Sequence, residues 1–327
     1  MDRRLKLLIL CLFLVVIAAI GLAVYYHVSA VPAHALLLPE GNLLVYANIK
    51  PAHLFDQGRS APPRLDPEYR DFVEQTGIQF ERDLDEVAIS QRFPGAERDT
   101  ESSAIFTGTF DPARLRNYLQ KISSASEGYA DKTVFSIQHE GHIVRAAILD
   151  ARTVAVTNME SAEPLRAIID KYRNPSLAGN GAYLLQTYYR HVPAASLAWM
   201  IYRVPQHSAP AMLPGGMSFS FLENTVSVTS MRYAGSISLK SEVFTVDEAA
   251  ARDLAESAGT FLAVYRTAGD SAGQKGPDQD VKAAIDSIQV QQAGSRAVFT
   301  ATIPRGFLRK ILPEADQPAN AGAGSKP

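Results

Sequence analysis

The sequence predicts an α+β fold: an N-terminal transmembrane helix, then antiparallel sheets with helices on one face, arranged as two related subdomains. Three observations lead there. Apolar residues recur at a period of two in some segments and at 3.6 in others. The period-two segments alternate apolar with polar side chains, as half-covered antiparallel strands do, whereas buried parallel strands are apolar throughout. Near the start, 20 consecutive residues carry no charge.

That stretch runs from Leu7 to Tyr26 (LLILCLFLVVIAAIGLAVYY) and is long enough to cross a hydrocarbon core of roughly 30 Å at about 1.5 Å per residue. Arg3, Arg4 and Lys6 precede it, and no Lys or Arg follows before Lys50. The positive-inside rule then leaves residues 1–6 as a cytoplasmic stub and places everything after the span outside the cytoplasm. The expected location is the cytoplasmic (inner) membrane, single-pass. Two other readings stay open. Ser29, Ala30, Ala33 and Ala35 suit cleavage by a signal peptidase, although the apolar run is longer than the roughly 7–15 residues of a usual leader. Residues 14–23 are similar to a pilin-type stem, with Leu12 standing where such a stem carries its acid. A lipoprotein is excluded, because Leu10 rather than a small residue precedes Cys11.

Beyond the anchor, Leu115, Tyr118, Leu119 and Ile122 fall at i, i+3, i+4 and i+7, as do Leu165, Ile168, Ile169 and Tyr172, and Val281, Ala284, Ile285 and Ile288. Each set makes one apolar helical stripe. Asp111 before Pro112 and Asp66 before Pro67 place a capping oxygen ahead of a proline at the first helical position, and Thr245 to Glu248 has capping-box spacing. Further helices are expected over 68–77, 181–192, 247–266 and 305–312. Strands are expected at 43–50, 85–92, 134–139, 142–149, 153–157, 196–204, 217–222, 225–233 and 235–244. In two more, Phe106, Gly108 and Phe110 share a dry face opposite Thr107 and Thr109, and Phe299, Ala301 and Ile303 do so opposite Thr300 and Thr302. Glu140-Gly141 and Ala234-Gly235 mark hairpin turns.

Residues 104–119 (AIFTGTFDPARLRNYL) match 297–312 (AVFTATIPRGFLRKIL) at seven of 16 positions without a gap. Pro51-Ala-His53 and Pro205-Gln-His207 echo each other after two strands. These repeats suggest two α+β halves, 36–175 and 181–312, divided where Pro175, Gly179 and Gly181 interrupt two helices. Residues 313–327 are Ala, Gly and Pro with little to bury, the composition of a disordered tail. Residues 38–56 (LPEGNLLVYANIKPAHLFD), with the later Ile303, Pro304 and Leu308, resemble a group of bacterial single-span exported proteins of unknown function. That resemblance implies an exported α+β ectodomain and carries no residue of known role.

Chemical motifs are few. Neither a Gly-x-Ser-x-Gly elbow nor a Ser-x-x-Lys is present, and there is no Walker A loop. Gly179-Asn-Gly181 lacks the third glycine of a dinucleotide fingerprint, so no cofactor is expected. A lone cysteine excludes an intramolecular disulfide and a cysteine zinc site. His139 and His142 flank a two-residue turn, facing each other across a hairpin, and would hold a metal only with a third ligand. Glu81, Asp83, Asp85 and Glu86 lack the glycine of a calcium loop and read as a solvated turn. His53 and His207 would meet if the halves pack about a pseudo-twofold axis, although both read first as loop residues. Trp199 reads as core. Met212 and Leu213, set among prolines and glycines, form a candidate contact loop, with a connector folded over its own core as the alternative.

Beyond residue 35 there remain 33 acids and 29 bases, a net charge of −4. That balance argues against nucleic acid and against general attraction to anionic surfaces. The functional expectation is an anchored extracytoplasmic protein that binds or scaffolds an envelope partner, or itself, without catalysis. A hydrolase whose site forms only in three dimensions and a pilin-like subunit are the alternatives.

Overall fold

A computed structural model describes residues 29–51, 67–94, 100–179, 181–205, 211–213, 217–219, 225–271 and 279–304. The expected span 7–26, the tail 313–327, His53, His207 and the helix expected at 305–312 lie outside these residues. Among the described residues no helix is long and apolar enough to cross a membrane.

In chain order the elements are α1 (Ala33–Leu36), β1 (Leu43–Asn48), α2 (Pro67–Thr76), α3 (Phe80–Asp83), β2 (Leu84–Arg92), β3 (Glu101–Gly108), α4 (Pro112–Ile122), β4 (Ala125–Tyr129), β5 (Lys132–His139), β6 (His142–Ile148), β7 (Thr153–Thr157), α5 (Glu163–Arg173), α6 (Tyr183–Tyr188), β8 (Ala198–Arg203), β9 (Ala211–Leu213), β10 (Met217–Phe219), β11 (Val226–Tyr233), β12 (Ile237–Phe244), α7 (Glu248–Ser271), α8 (Gln279–Asp286), β13 (Gln289–Gln292) and β14 (Arg296–Ile303). The fold is α+β, and twelve of the strands form one antiparallel sheet, ordered β13-β14-β12-β11-β8-β1-β2-β3-β7-β6-β5-β4; β9 and β10 pair separately.

The local signals act as the chemistry requires. Asp111 accepts hydrogen bonds from the amides of Ala113 and Arg114, capping α4 ahead of Pro112. At α7 the cap shifts from the expected residue: the Asp247 carboxylate accepts the Ala250 amide, while the Thr245 hydroxyl donates to the carbonyls of Asp247 and Ser295. Aspartate one turn ahead of Ala250 is the better-placed acceptor, so Thr245 is left to tie the cap to the β13–β14 turn. Glu140 and Gly141, both at positive φ, close the β5–β6 hairpin.

Helices cover both faces of the sheet, not one. On the core face, Leu44, Tyr46, Ile105, Ala155, Trp199, Ile201 and Val228 pack against α1, α5 and α6 through Ala35, Leu165, Ile168, Ile169, Leu184 and Leu185. On the second face, α2 and α4 pack over β5, β6 and β7, joining Leu115 and Leu119 to Phe135, Ala146 and Val154. At the other end α7 and α8 pack against β13 and β14, with Gln292 donating to the carbonyl of Glu248. The dry and wet sides expected of β3 also differ from those found, since Thr107 is buried and Phe106 half-buried. Buried hydroxyls are tolerated because they satisfy one another: Ser103 donates to Thr157, which donates to the Ser102 carbonyl.

β1 and β8 pair at the middle of the sheet. Outward from that pair the order is β1-β2-β3-β7 on one side and β8-β11-β12-β14 on the other. On the first side the chain leaves β3 through α4 and the strands β4, β5 and β6 before β7 returns beside β3; on the second, where β9 and β10 intervene between β8 and β11, it leaves β12 through α7, α8 and β13 before β14 returns beside β12. The sequence match aligns β3 with β14, whereas this strand order makes β12 the counterpart of β3.

Candidate functional site

No cluster of three or more His, Cys, Asp or Glu positioned to hold a metal occurs among the described residues. His139 and His142 do sit opposite each other across the β5–β6 turn, both exposed. Met212 and Leu213 fall on β9, paired with Ser218 and Met217. The acidic run is spent on separate local contacts. Asp83 accepts the Gln79 amide, Asp85 pairs with Arg152 at 2.5 Å, and Glu86 faces His34 at 3.1 Å.

Three features missed by motif reasoning emerge from strand register. The first is the uncharged second face. One row of side chains crosses all twelve strands, Val290, Phe299, Ser241, Thr229, Met200, Val45, Ile89, Ala104, Val156, Ala146, Phe135 and Ser126, without a single charge. The row beside it includes Leu239, Met231, Ala198, Ala47, Val87 and Phe106. At the middle of the sheet, Val45, Ala47, Val87, Ile89, Ala198, Met200 and Met231 are all half-buried, whereas Leu44, Ala88, Trp199 and Ile201 on the opposite face are buried. No described helix makes an extensive contact with the second face there.

The second feature lies on the core face beside β1 and β8. Tyr46 stacks on Trp199 at 5.7 Å, and Tyr189 meets the same indole edge-on at 5.5 Å. The hydrogen bond from His34 holds the Glu86 carboxyl below its usual range against the cost of burial, with the Tyr46 hydroxyl bonded to the same carboxylate. Burial pushes Tyr189 up to about 12; its hydroxyl donates to the Ala30 carbonyl at 2.9 Å.

The third is a buried carboxylate ringed by cations. Glu242 on β12 is 3% exposed, with Lys240 Nζ at 2.6 Å, Arg296 Nη1 at 2.6 Å and His191 Nδ1 at 3.2 Å. Burial would raise this carboxyl, but the lysine, guanidinium and imidazole hold it below its usual range. Arg190 donates through Nε to His191 Nε2, and Arg296 Nη1 lies 3.3 Å from His191 Nδ1, so both ring nitrogens face a guanidinium beside Glu242. Burial lowers the His191 pKa, and Arg296 and Arg190 repel its proton further, against the pull of Glu242. Separately, a cleft of about 320 Å³ between α4, β5 and the β6–β7 turn is lined by Arg116, Lys132, Asp131, Thr133 and Asp150 over Phe135. Its carboxylates are engaged, Asp131 by Arg173 at 2.9 Å and Asp150 by Tyr172.

No family model and no curated protein matches the chain. Among solved structures, three crystal forms of the protein TP0453 are similar in outline. Form III shares 9% identity at a TM-score of 0.42, covering 87% of this chain and 98% of that one. Form I shares 12% at 0.40 and form IV 10% at 0.39, each covering 85% of this chain and 95% of the other.

Proposed function

We propose that the chain is a membrane-anchored, extracytoplasmic binding or scaffolding protein, held in the cytoplasmic membrane by residues 7–26, with two topologically related halves sharing one sheet. The observation that carries the binding reading is the uncharged, half-buried middle of the second face, where Val45, Val87, Ile89, Met200 and Met231 offer apolar contact area. Its lining suits an uncharged protein surface, from an envelope partner or from a second copy. Met200 and Met231 add side chains that adapt to an irregular partner.

A photo-crosslinking residue placed at Met200 in the full chain, in intact membranes, tests this reading, with Glu140 at the exposed hairpin tip as control. Protein adducts from position 200 and not from 140 are the expected result, and self-adducts alone would make the chain a homo-oligomeric scaffold. Adducts from neither position, or from 140 alone, would overturn the binding reading. A hydrolase reading has one observation in its favour, the His34–Glu86 pair joined by Tyr46. Turnover of a substrate by the full chain, abolished by His34→Ala without loss of folding, would replace binding with catalysis.

A further inference from the structure

The ectodomain is acidic as a whole, but its charge is unevenly placed around the point where the described chain begins. Ala30 is tied to Tyr189 by the tyrosine hydroxyl, and α1 follows directly, with Ala35, Leu37 and Leu38 buried in the core. The start of the ectodomain is thus stitched to the core face beside Trp199. Tyr189 belongs to a short 3-10 turn, Tyr189–His191, whose next two residues, Arg190 and His191, join the ring around Glu242. Register places Lys240 two strands from Trp199 on the same face, through Ser230.

The local balance is positive. Lys240 and Arg296 pair with one carboxylate, Arg190 joins them through His191, and burial lowers the pKa of that imidazole. Glu242 is buried and uses both oxygens inward, whereas Arg190 is exposed and the side chains of Lys240 and Arg296 are 37% and 34% exposed. The carboxylate orients Lys240 and Arg296 and offsets one of the three permanent positive charges, which leaves two in excess. Arg296 is held further by lying 5.9 Å over the Phe244 ring.

We infer that the Arg190–Lys240–Arg296 patch docks on the anionic phosphate headgroups of the membrane that holds the anchor. The inference rests on the anchor reading and extends it to the orientation of the ectodomain. Three residues, His27, Val28 and Ser29, lie between Tyr26 and Ala30, so the four steps span at most about 14 Å of extended chain. The headgroup layer is itself roughly 5–8 Å thick on each side. The turn that grips Ala30 is therefore confined near that layer, where fixed cations interact across about one Debye length, ~8 Å. Net charge misses this because it averages over the whole chain, while the core-face acids near the start of the described chain have partners of their own: Glu86 faces His34, Glu40 accepts the Tyr183 amide and Asp170 accepts the Tyr129 hydroxyl.

Trp199 is the only tryptophan in the chain, so energy transfer from it to a dansyl-labelled lipid headgroup reports the distance of the core face from the bilayer. The full chain is reconstituted in phosphatidylcholine vesicles, with or without phosphatidylglycerol. Transfer should rise in the anionic vesicles, and the increment should be lost in high salt and in Arg190→Glu, a change at an exposed side chain. Lys240→Gln should reduce it in part. If the protein floats with both vesicles but transfer is independent of lipid charge, the docking inference is overturned and the anchor reading survives. If it fails to float with neutral vesicles, the anchor reading falls and the inference with it. An equal response to inorganic phosphate in neutral vesicles would instead assign the patch to a soluble anion and overturn headgroup docking.

Discussion

At the scale of single residues, the Glu242 cluster controls both charge placement and acid response. Removing the carboxylate leaves Lys240 and Arg296 crowded with no counter-ion; because those cations are partly solvated, Glu242→Gln should cost about 2 kcal/mol, measured by denaturant unfolding. His191 supplies a pH dependence with a definite sign. Its folded pKa lies below the ordinary 6.5, so the unfolded chain takes up the proton first. Stability from this group is fully present above about pH 6.5 and is lost as pH falls through the lower folded value. Glu86 and Glu242, also lowered, add a second loss below the carboxylate reference of 4.5. His191→Gln should flatten the first part of the profile and leave the second; an unchanged profile between pH 7 and 5.5 would show the imidazole is not responsible.

At the scale of elements, α5 shows why an amphipathic stripe is more than a pattern. Leu165, Ile168 and Ile169 are each fully buried against the core face of the sheet. Lys171 donates to the Leu38 carbonyl at 3.1 Å, and Tyr129 donates to Asp170 at 2.8 Å, so the helix also ties the segment after α1 to the hairpin edge. Truncating Ile168 to Ala opens a cavity where the surrounding strands cannot collapse and should cost about 3 kcal/mol in equilibrium unfolding. The same truncation at Ile122, which is 37% exposed at the end of α4, should cost well under half as much.

At the scale of the whole molecule, the pairing of β1 with β8 joins the strands of the first and second parts of the described chain into one sheet. The core cluster draws Leu44, Ile105 and Leu165 from one half and Trp199, Ile201 and Val228 from the other. Unfolding either half alone would expose half of that cluster, so the described region should unfold in one transition. Trp199 fluorescence, which senses the seam, and far-ultraviolet circular dichroism should give the same midpoint. Two separated midpoints would mean that the halves are autonomous.

The repetitive local features were legible in the sequence because they depend on neighbours a few residues apart. The stripe at Leu165, Ile168 and Ile169, the Asp111 cap, the Glu140-Gly141 turn and the α+β class are of this kind. The β4 and β13 strands were not legible, since Ala125–Tyr129 and Gln289–Gln292 carry no sustained apolar alternation and are strands through their pairing with β5 and β14. Thr107 reads as wet from its hydroxyl alone, yet it is dry because its face packs under helices from elsewhere in the chain. The charge total was legible as well, but not its distribution. Only the tertiary structure brings Arg190, Lys240, Glu242 and Arg296 together from segments separated by 50 or more residues, and only strand register lines up twelve uncharged side chains. Local sequence sets the periodicity and capping of each element; long-range pairing decides which faces become surface and which charges become neighbours.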